Sequence, residues 1–197
     1  MNVSRETQVK LDLYLDLLRK WNSKINLISK SSLQDAVNRH FDDSMQVAAL
    51  APVDAFTWAD FGSGGGFPGA VVAIVLRDVS PKLKLTLVES DQRKAAFLRT
   101  VSRETKVPMT VLTQRVEDVL PLNSDVVSAR ALAPLPILFD FAERHLAQTG
   151  KAFFMKGKNW KDDLETAQNQ WNFRWEVHKS VTNPEAVILE IGELCRA

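Results

Sequence analysis

The sequence is poor in the residues that build disulfides and metal sites. It has one cysteine, Cys195, which excludes an intramolecular disulfide. Its three histidines, His40, His145 and His178, lie far apart, and neither a Cys-x-x-Cys nor a His-x-x-x-His spacing occurs. It also lacks a long apolar run and a charged-then-apolar signal segment. We therefore expect a protein of the reducing cytoplasm, with no metal and no membrane partner.

Net charge is also nearly absent, at +1 for the whole chain, so the overall charge does not indicate a nucleic-acid partner. The distribution of charge is uneven. Residues 82–115 contain eight lysines and arginines against three acidic residues, which is a local surplus of +5. This segment fits either a surface that faces phosphates or the solvated side of a helix, and both interpretations stay open.

The chain has 197 residues, 45% of them hydrophobic, which suits one α/β domain with an appendage. Residues 5–50 predict helices, because apolar residues recur at helical spacing without Gly or Pro. The segment 21–27 is expected to pack on the main domain with its amides, including that of Asn22, facing a cleft. We expect a helical extension over residues 1–52 and a main domain over residues 53–197. The apolar stripes are Leu11, Tyr14, Leu18 and Trp21 in a first helix, and Leu33, Val37, Phe41, Met45 and Ala48 in a second.

Strand and helix patterns alternate from residue 56 onward. Strands that alternate with helices indicate parallel βαβ units and a doubly wound α/β sheet. The predicted strands are 56–61, 83–89, 109–112, 124–129, 150–155, 174–178 and 186–191. One predicted helix begins near Pro68, and three others cover residues 91–105, 137–146 and 162–169.

Glycines are few, and five of the eight lie between Trp58 and Gly69, in Trp-Ala-Asp-Phe-Gly-Ser-Gly-Gly-Gly-Phe-Pro-Gly. Glycine permits positive φ and the close approach of another molecule. A turn at the carboxyl end of a parallel strand also exposes backbone N–H groups beside a helix N-terminus. We interpret residues 62–69, the glycine loop, as a site for a nucleotide-like ligand rather than a turn that serves packing alone.

The residues of the glycine loop narrow the class of ligand. No Gly-Lys-Ser or Gly-Lys-Thr follows it, which excludes a Walker phosphate loop. Phe61 stands where the nucleophile elbow of a serine hydrolase needs glycine, so that class is disfavoured. A Gly-x-Gly-x-x-Gly dinucleotide fingerprint starts at Gly64, and a dinucleotide-dependent oxidoreductase therefore remains an alternative.

Two acidic residues favour a cationic nucleoside. Asp60 lies at the end of the first strand, where a carboxylate repels a pyrophosphate but attracts the sulfonium and ammonium groups of S-adenosylmethionine. Glu89 ends the second strand, where a carboxylate accepts hydrogen bonds from both ribose hydroxyls. The sequence therefore favours S-adenosylmethionine as the cofactor.

The loop Asp-Phe-Gly-Ser-Gly-Gly-Gly-Phe-Pro-Gly over residues 60–69 resembles the methyl-donor loop of the ribosomal RNA small subunit methyltransferase G family, also called glucose-inhibited division protein B. The similarity covers essentially the whole chain, although Asp42 adds a carboxylate that the family pattern lacks. The other shared motifs are Trp21-Asn22 with Asn26-Leu27, Arg39-His40 with Asp43-Ser44, Glu89-Ser90 with Arg93-Lys94 and Phe97-Leu98, Arg115-Val116-Glu117, Ser128-Ala129-Arg130-Ala131, and Lys156-Gly157.

This resemblance implies a Rossmann-like class I methyltransferase with a seven-stranded, mostly parallel sheet, helices on both faces and an N-terminal helical extension. It implies transfer of a methyl group from S-adenosylmethionine to N7 of a guanine in 16S ribosomal RNA. The implied partner is 16S ribosomal RNA or the small ribosomal subunit, and we expect a monomer. A non-catalytic RNA-binding or ribosome-binding protein on the same sheet remains the second alternative.

The resemblance also implies roles for residues at matching positions. Val116 and Glu117 would flank the adenine, and Arg130 would line the boundary between donor and target base. The expected RNA contacts are Asn22, Arg39, His40 and Lys156. The expected donor contacts are Asp60, Gly62, Ser63, Gly64, Phe67, Glu89, Val116, Glu117 and Arg130.

The residues are compatible with this chemistry. N7 of guanine carries an in-plane lone pair and no proton, so methyl transfer needs alignment rather than a general base. The chain lacks both the Asn/Asp-Pro-Pro-aromatic turn of amine methyltransferases and a cysteine placed to attack C5 of a pyrimidine. Arg130 either hydrogen-bonds guanine O6 or forms a salt bridge with Asp60 or Glu117. Asp43 and Arg39 either form a near-neighbour ion pair on the helix, or they hold the glycine loop or touch a substrate.

Overall fold

A seven-stranded sheet in the order β3-β2-β1-β4-β5-β7-β6 forms the centre of the computed structural model, which describes residues 3–197. All neighbouring strands are parallel except in the two pairs that involve β7, which is antiparallel to β5 and β6. The predicted doubly wound, mostly parallel sheet is therefore confirmed. The strands are β1 (Thr57–Phe61), β2 (Lys84–Val88), β3 (Thr110–Leu112), β4 (Ser124–Arg130), β5 (Leu146–Lys156), β6 (Trp171–Lys179) and β7 (Val187–Arg196).

Helices cover both faces of the sheet, as predicted. Helices α4 and α5 and the N-terminal helices share a hydrophobic core with one face, whereas α6 and α7 cover the other. Between residues 3 and 197, no helix combines the length and the hydropathy needed to cross a bilayer. The helices are α1 (Arg5–Asn22), α2 (Lys30–Leu33), α3 (Asp43–Ala49), α4 (Gly69–Leu76), α5 (Gln92–Thr105), α6 (Leu135–His145) and α7 (Trp160–Gln168), with a π-helical turn at Val37–Asp42 and a 3-10 turn at Val116–Asp118.

The largest differences from the predicted boundaries concern the last three strands, and β5 begins at Leu146 instead of residue 150. β6 begins at Trp171 instead of residue 174, and β7 continues to Arg196 instead of residue 191. Trp171 is buried and packs edge-on against Phe139 of α6, with the ring centroids 5.9 Å apart. Packing against α6 thus makes the edge strand β6 longer than its residue pattern alone predicts.

The apolar stripe of α1 is confirmed, since Leu11, Tyr14 and Leu18 are buried against α4 and α5. The second predicted stripe is wrong at Val37, whose side chain is 48% exposed. A π-helical turn holds more residues than an α-helical turn, so Val37 rotates away from the buried side. The division of the chain at residue 52 stays a prediction.

The parallel arrangement brings the glycine loop to a common edge with two other strand ends. β1 lies between β2 and β4, so Phe61, Val88 and Arg130 all stand at the carboxyl edge of the sheet. α4 begins at Gly69, directly after Pro68, and its eight residues are all buried. The loop that joins β1 to α4 is therefore held between a buried strand and a buried helix.

Candidate functional site

A cleft of about 450 Å³ lies at this carboxyl edge, and we call it the glycine-loop cleft. Besides the predicted donor contacts, its lining includes Lys94, Arg115, Ile137 and Phe141. Many of the predicted donor contacts come together here, although the sequence separates them by more than fifty residues. Those that line the cleft are Gly62, Gly64, Glu89, Val116 and Glu117.

The glycines of the loop serve different purposes. Gly62, Gly64 and Gly66 all have positive φ, at 61°, 55° and 91°, which L-residues rarely adopt. A Cβ on Gly62 would lie 2.5 Å from Leu132 Cδ1, and one on Gly66 would collide with the Tyr14 hydroxyl. A Cβ on Gly64 would meet nothing nearer than the Gly62 carbonyl oxygen at 3.7 Å. The missing side chain of Gly64 therefore leaves open space, whereas a Cβ on Gly62 or Gly66 would also meet neighbouring side chains.

Glu89 ties the glycine loop to the start of α5. Its Oε2 accepts a hydrogen bond from the Gly64 N–H at 2.8 Å, and its Oε1 accepts one from the Asp91 N–H at 2.7 Å. Each carboxylate oxygen has a second lone pair that these bonds leave unused. Glu89 thus holds the loop in place and can still accept hydroxyl groups from a ligand.

Asp60 lies behind the loop and does not line the cleft. Its side chain is completely buried, and Oδ1 accepts a hydrogen bond from the Ser128 hydroxyl at 2.7 Å. Within residues 3–197, Oδ2 has no hydrogen-bond partner. Burial raises the pKa of Asp60 to about 6, against the opposing effect of the Ser128 hydrogen bond. Ser63 is also buried and donates to the Asp60 carbonyl oxygen at 3.0 Å, so these two predicted donor contacts face the interior.

The Phe67 side chain faces the N-terminal extension rather than the cleft. Its ring is buried and stacked on Tyr14 and His40, with centroid distances of 5.6 and 5.0 Å. The Tyr14 hydroxyl donates a hydrogen bond to the Gly65 carbonyl oxygen of the loop. Sequence reasoning missed this role of Tyr14, because its place in the apolar stripe of α1 indicates only a core residue.

His40 and Arg39 differ in accessibility although they are neighbours. Both ring nitrogens of His40 are buried and have no partner in the described part of the chain. Burial, together with the charges of Arg130 and Arg39, lowers the pKa of His40 to about 4, so the ring is neutral at pH 7. The Arg39 side chain is exposed. Of these two predicted RNA contacts, only Arg39 is open to a large partner.

A second cavity of about 230 Å³, the Arg130 cavity, adjoins the glycine-loop cleft, and Ala131 lines both. The Arg130 guanidinium lies 4.9 Å from the centre of the Phe67 ring, and its Nη1 lies 3.9 Å from Asp43 Oδ2. Burial lowers the pKa of Arg130, yet a guanidinium keeps its charge in proteins. The other lining residues are Met155, Lys156, Gly157, Ala186 and Val187.

Two ion pairs that the sequence offered as alternatives do not form in the structure. Arg130 pairs with Asp43 and not with Asp60 or Glu117, and the partner of Asp43 is not Arg39. The π-helical turn before α3 turns Asp43 toward β4, while the Arg39 side chain points to solvent. Contacts between elements far apart in the chain decide these pairs, which near-neighbour spacing cannot reveal.

Two further predicted RNA contacts are used inside the protein. Lys156 Nζ lies 2.6 Å from Asp163 Oδ2 and donates to the Ala133 carbonyl oxygen at 3.2 Å. Asn22 Oδ1 accepts hydrogen bonds from the backbone N–H groups of Leu27 and Ile28, at 2.9 and 3.0 Å. The Asn22 oxygen therefore closes the turn after α1 and does not face a cleft, contrary to expectation.

The basic segment 82–115 does not form one surface. Lys82 and Lys84 line a separate cavity of about 1010 Å³, which includes the start of β1 at the amino edge of the sheet. Lys94 and Arg115 line the glycine-loop cleft at the opposite edge. Only the second pair is placed to face a substrate of this cleft.

One cluster outside the cleft brings together residue types that bind metals. Glu176, His178 and Glu190 each offer a ligand atom within 4.8 Å of the others. Glu190 already accepts from Lys151 Nζ at 2.6 Å and bonds His178 Nε2 at 2.9 Å. Burial raises the pKa of Glu190, but the hydrogen bonds from Lys151 and His178, together with the charges of these two residues, lower it by more, and the net shift is downward. These contacts describe a cross-strand ion cluster.

Comparisons with known proteins agree with the resemblance in the sequence. The family model described as GidB, rRNA small subunit methyltransferase G, matches residues 7–191. A ribosomal RNA small subunit methyltransferase G from Ruegeria pomeroyi is 48% identical over 196 residues, covering 100% of this chain and 96% of the relative. The protein of that name from Paracoccus denitrificans is 48% identical over 198 aligned positions, covering 100% of both chains.

Solved structures show the same fold at low sequence identity. The crystal structure of ribosomal protein L11 methylase from Lactobacillus delbrueckii subsp. bulgaricus superimposes with a TM-score of 0.61 and 17% identity, covering 76% of this chain and 75% of that chain. M. jannaschii TYW2 in complex with AdoMet gives a TM-score of 0.58 and 14% identity, covering 89% of this chain and 80% of that chain. At these identities the likeness concerns the fold alone.

Proposed function

Because this chain belongs to the rRNA small subunit methyltransferase G family, it is an S-adenosylmethionine-dependent methyltransferase of ribosomal RNA, and we propose that it methylates N7 of a guanine in 16S ribosomal RNA. The observation that carries the proposal is the pair of adjoining cavities that share Ala131. One cavity has the residues expected to hold the donor, and the other places Arg130 beside it.

The residues of the glycine-loop cleft fit S-adenosylmethionine. Glu89 would hold the ribose hydroxyls, because its oxygens keep free lone pairs. Val116 and Glu117 would flank the adenine, and the backbone at Gly64 leaves space that a side chain would fill. When bound, S-adenosylmethionine supplies a methyl group on a positively charged sulfonium. The Asp60 carboxyl group behind the loop favours such a cation.

The remaining task of the protein is to align the acceptor base. N7 of guanine has a free in-plane lone pair, so no side chain needs to remove a proton from it. Arg130 is held by the Phe67 ring and by its bond to the Arg39 carbonyl oxygen at 3.3 Å. A guanidinium fixed in this way would donate to guanine O6 and limit rotation of the base, while N7 remains free.

We further propose that the protein works in the cytoplasm, the compartment of the ribosome, and as a monomer. The exposed Arg39 and the cleft residues Lys94 and Arg115 are basic side chains that are placed to meet RNA phosphates.

The test is to measure donor binding by calorimetry and then incubate the protein with methyl-labelled S-adenosylmethionine and either naked 16S ribosomal RNA or small-subunit particles. We expect label in the RNA, at one guanine that becomes sensitive to strand cleavage by borohydride and aniline, a reaction specific for N7-methylguanine. Donor binding without RNA labelling would favour the RNA-binding alternative. Binding of NADH without binding of S-adenosylmethionine would favour the oxidoreductase.

A further inference from the structure

We propose that Asp43 selects guanine as the target base, by accepting hydrogen bonds from the guanine N1–H and N2–H2 groups in the Arg130 cavity. This assignment rests on the proposed function, since it concerns the base that receives the methyl group. Asp43 lines the cavity together with Arg130 and Ala131. It belongs to the first turn of α3, so the N-terminal extension would contribute directly to substrate choice.

The two oxygens of the Asp43 carboxylate have different surroundings. Oδ1 accepts hydrogen bonds from Ser180 Oγ at 3.1 Å and Thr182 Oγ1 at 2.9 Å, with Gln46 Nε2 at 3.3 Å. Oδ2 lies 3.9 Å from Arg130 Nη1, which is too far for a hydrogen bond. In the described part of the chain, Oδ1 thus fixes the carboxylate while Oδ2 remains available at the cavity.

The two cations of the cavity are not equally available. Lys156 is already bonded to Asp163 and to the Ala133 carbonyl oxygen. Arg130 is positioned by the Phe67 ring and keeps donor groups that face Asp43 and the cavity. The cavity therefore presents a fixed hydrogen-bond donor, Arg130, next to a fixed acceptor, Asp43.

This arrangement of donor and acceptor matches the Watson–Crick edge of guanine. That edge carries an acceptor, O6, followed by two donors, N1–H and N2–H2. Arg130 would donate to O6, and Asp43 Oδ2 would accept from N1–H and N2–H2 through its two lone pairs. Adenine presents a donor where guanine has O6 and an acceptor at N1, so it would place acceptor against acceptor at Asp43. A polar site built for one pattern rejects the other strongly.

Reading of the Watson–Crick edge also leaves the reactive atom uncovered. N7 lies in the other ring of guanine, on a different edge from N1 and N2. A base held by Asp43 therefore has no protein group on N7, which must stay free for attack. Ala131 forms the boundary between this cavity and the donor cleft.

A different role for Asp43 predicts different results. The bonds to Ser180 and Thr182 show that Asp43 also anchors the turn between β6 and β7. If anchoring this turn were the only role of Asp43, removing the hydroxyls of Ser180 and Thr182 would change methyl transfer in the same way as removing the Asp43 carboxylate. The double variant Ser180→Ala with Thr182→Val breaks the anchor and keeps the carboxylate, so it separates the two roles.

The experiment uses small-subunit particles reconstituted with either guanine or inosine at the methylated position, because inosine lacks only the N2 amino group. We expect the kcat/KM of the wild-type protein to be about 10- to 100-fold lower on inosine than on guanine. This factor corresponds to the loss of one hydrogen bond to a charged group. Asp43→Asn should lower kcat/KM on guanine but bring the guanine-to-inosine ratio close to one. Its thermal midpoint and its affinity for S-adenosylmethionine should change little.

Asp42→Asn is the matched control, because Asp42 is adjacent and does not line the cavity. It should keep the wild-type base ratio. The double variant at Ser180 and Thr182 should keep it too, because it retains the carboxylate and the Gln46 hydrogen bond to Oδ1. A wild-type ratio near one, or an unchanged ratio in Asp43→Asn, overturns the role of Asp43 while leaving N7 methylation intact. If the wild-type protein methylates neither substrate, the proposed function fails and this assignment fails with it.

Discussion

The buried carboxyl group of Asp60 should make the free energy of unfolding fall as the pH rises through the mildly acidic range. The carboxyl group is completely buried, its Oδ2 has no partner within residues 3–197, and its pKa is raised from 3.8 to about 6. The folded protein therefore binds this proton more tightly than the unfolded chain does. Between about pH 4 and pH 6 the folded state carries a proton that the unfolded state has released, so raising the pH favours unfolding.

The magnitude follows from the size of the pKa shift. A rise from 3.8 to about 6 corresponds to roughly 3 kcal/mol of unfolding free energy, lost as the pH increases through this window. Asp60→Asn removes the titration, because an amide is neutral at every pH used. The Asn oxygen can still accept from Ser128. The new amide NH2 would lack an acceptor, which costs about 1–3 kcal/mol independently of pH.

The assay is urea unfolding of the wild-type protein and Asp60→Asn across about pH 4 to pH 7.5. We expect the variant to gain roughly 3 kcal/mol relative to wild type over this range. Asp78→Asn is a control of opposite sign, because hydrogen bonds from Thr7 and Ser4 lower the pKa of that exposed carboxyl group. A stability difference between wild type and Asp60→Asn that stays constant with pH would refute the reasoning.

Three other substitutions test the site itself. Gly64→Ala should cost about 1–2 kcal/mol of stability, because residue 64 has a left-handed backbone conformation. It should also weaken S-adenosylmethionine binding by about tenfold or more, because the alanine side chain enters the cleft. Gly192→Ala is the control, since the space around its Cβ is open, and equal losses of fold and binding in Gly64→Ala would contradict this prediction. Tyr14→Phe keeps the ring but leaves the Gly65 carbonyl without its donor, so we expect about 1–3 kcal/mol lower stability and a weaker donor Kd by calorimetry. An unchanged Kd would remove Tyr14 from the support of the loop. Arg130→Ala should lower kcat/KM for RNA by about 10- to 100-fold with a nearly unchanged donor Kd, and unchanged methyl transfer would exclude Arg130 from the site.

The sheet and the donor cleft could be predicted from the sequence because both depend on local signals and a simple topological rule. The glycines around Gly64 indicate a turn after β1, and Glu89 directly follows the next strand. Parallel strands place their carboxyl ends at one edge, so these residues meet although the chain separates them. The resemblance to the family then indicated Val116 and Glu117, which line the same cleft.

The polar contacts around the cleft could not be predicted in this way. Asp60 was expected to face the ligand, but it is buried behind the loop. A salt bridge to Asp60 or Glu117 was one of the two alternatives for Arg130, but its carboxylate partner is Asp43. These outcomes depend on where the N-terminal extension packs, and no periodicity or spacing in the sequence encodes that position.

The sequence by itself therefore determined the order of strands and helices, the glycine loop, the carboxylate that follows β2, and the family. These features are local in the chain or follow from the parallel topology. Only the tertiary structure decided that Tyr14 supports the Gly65 carbonyl, that Phe67 faces the extension, and that Asp43 stands beside Arg130. The physical reason is that hydrogen bonds and ion pairs act over a few ångströms, and packing alone brings residues that are 50 to 90 positions apart within that range.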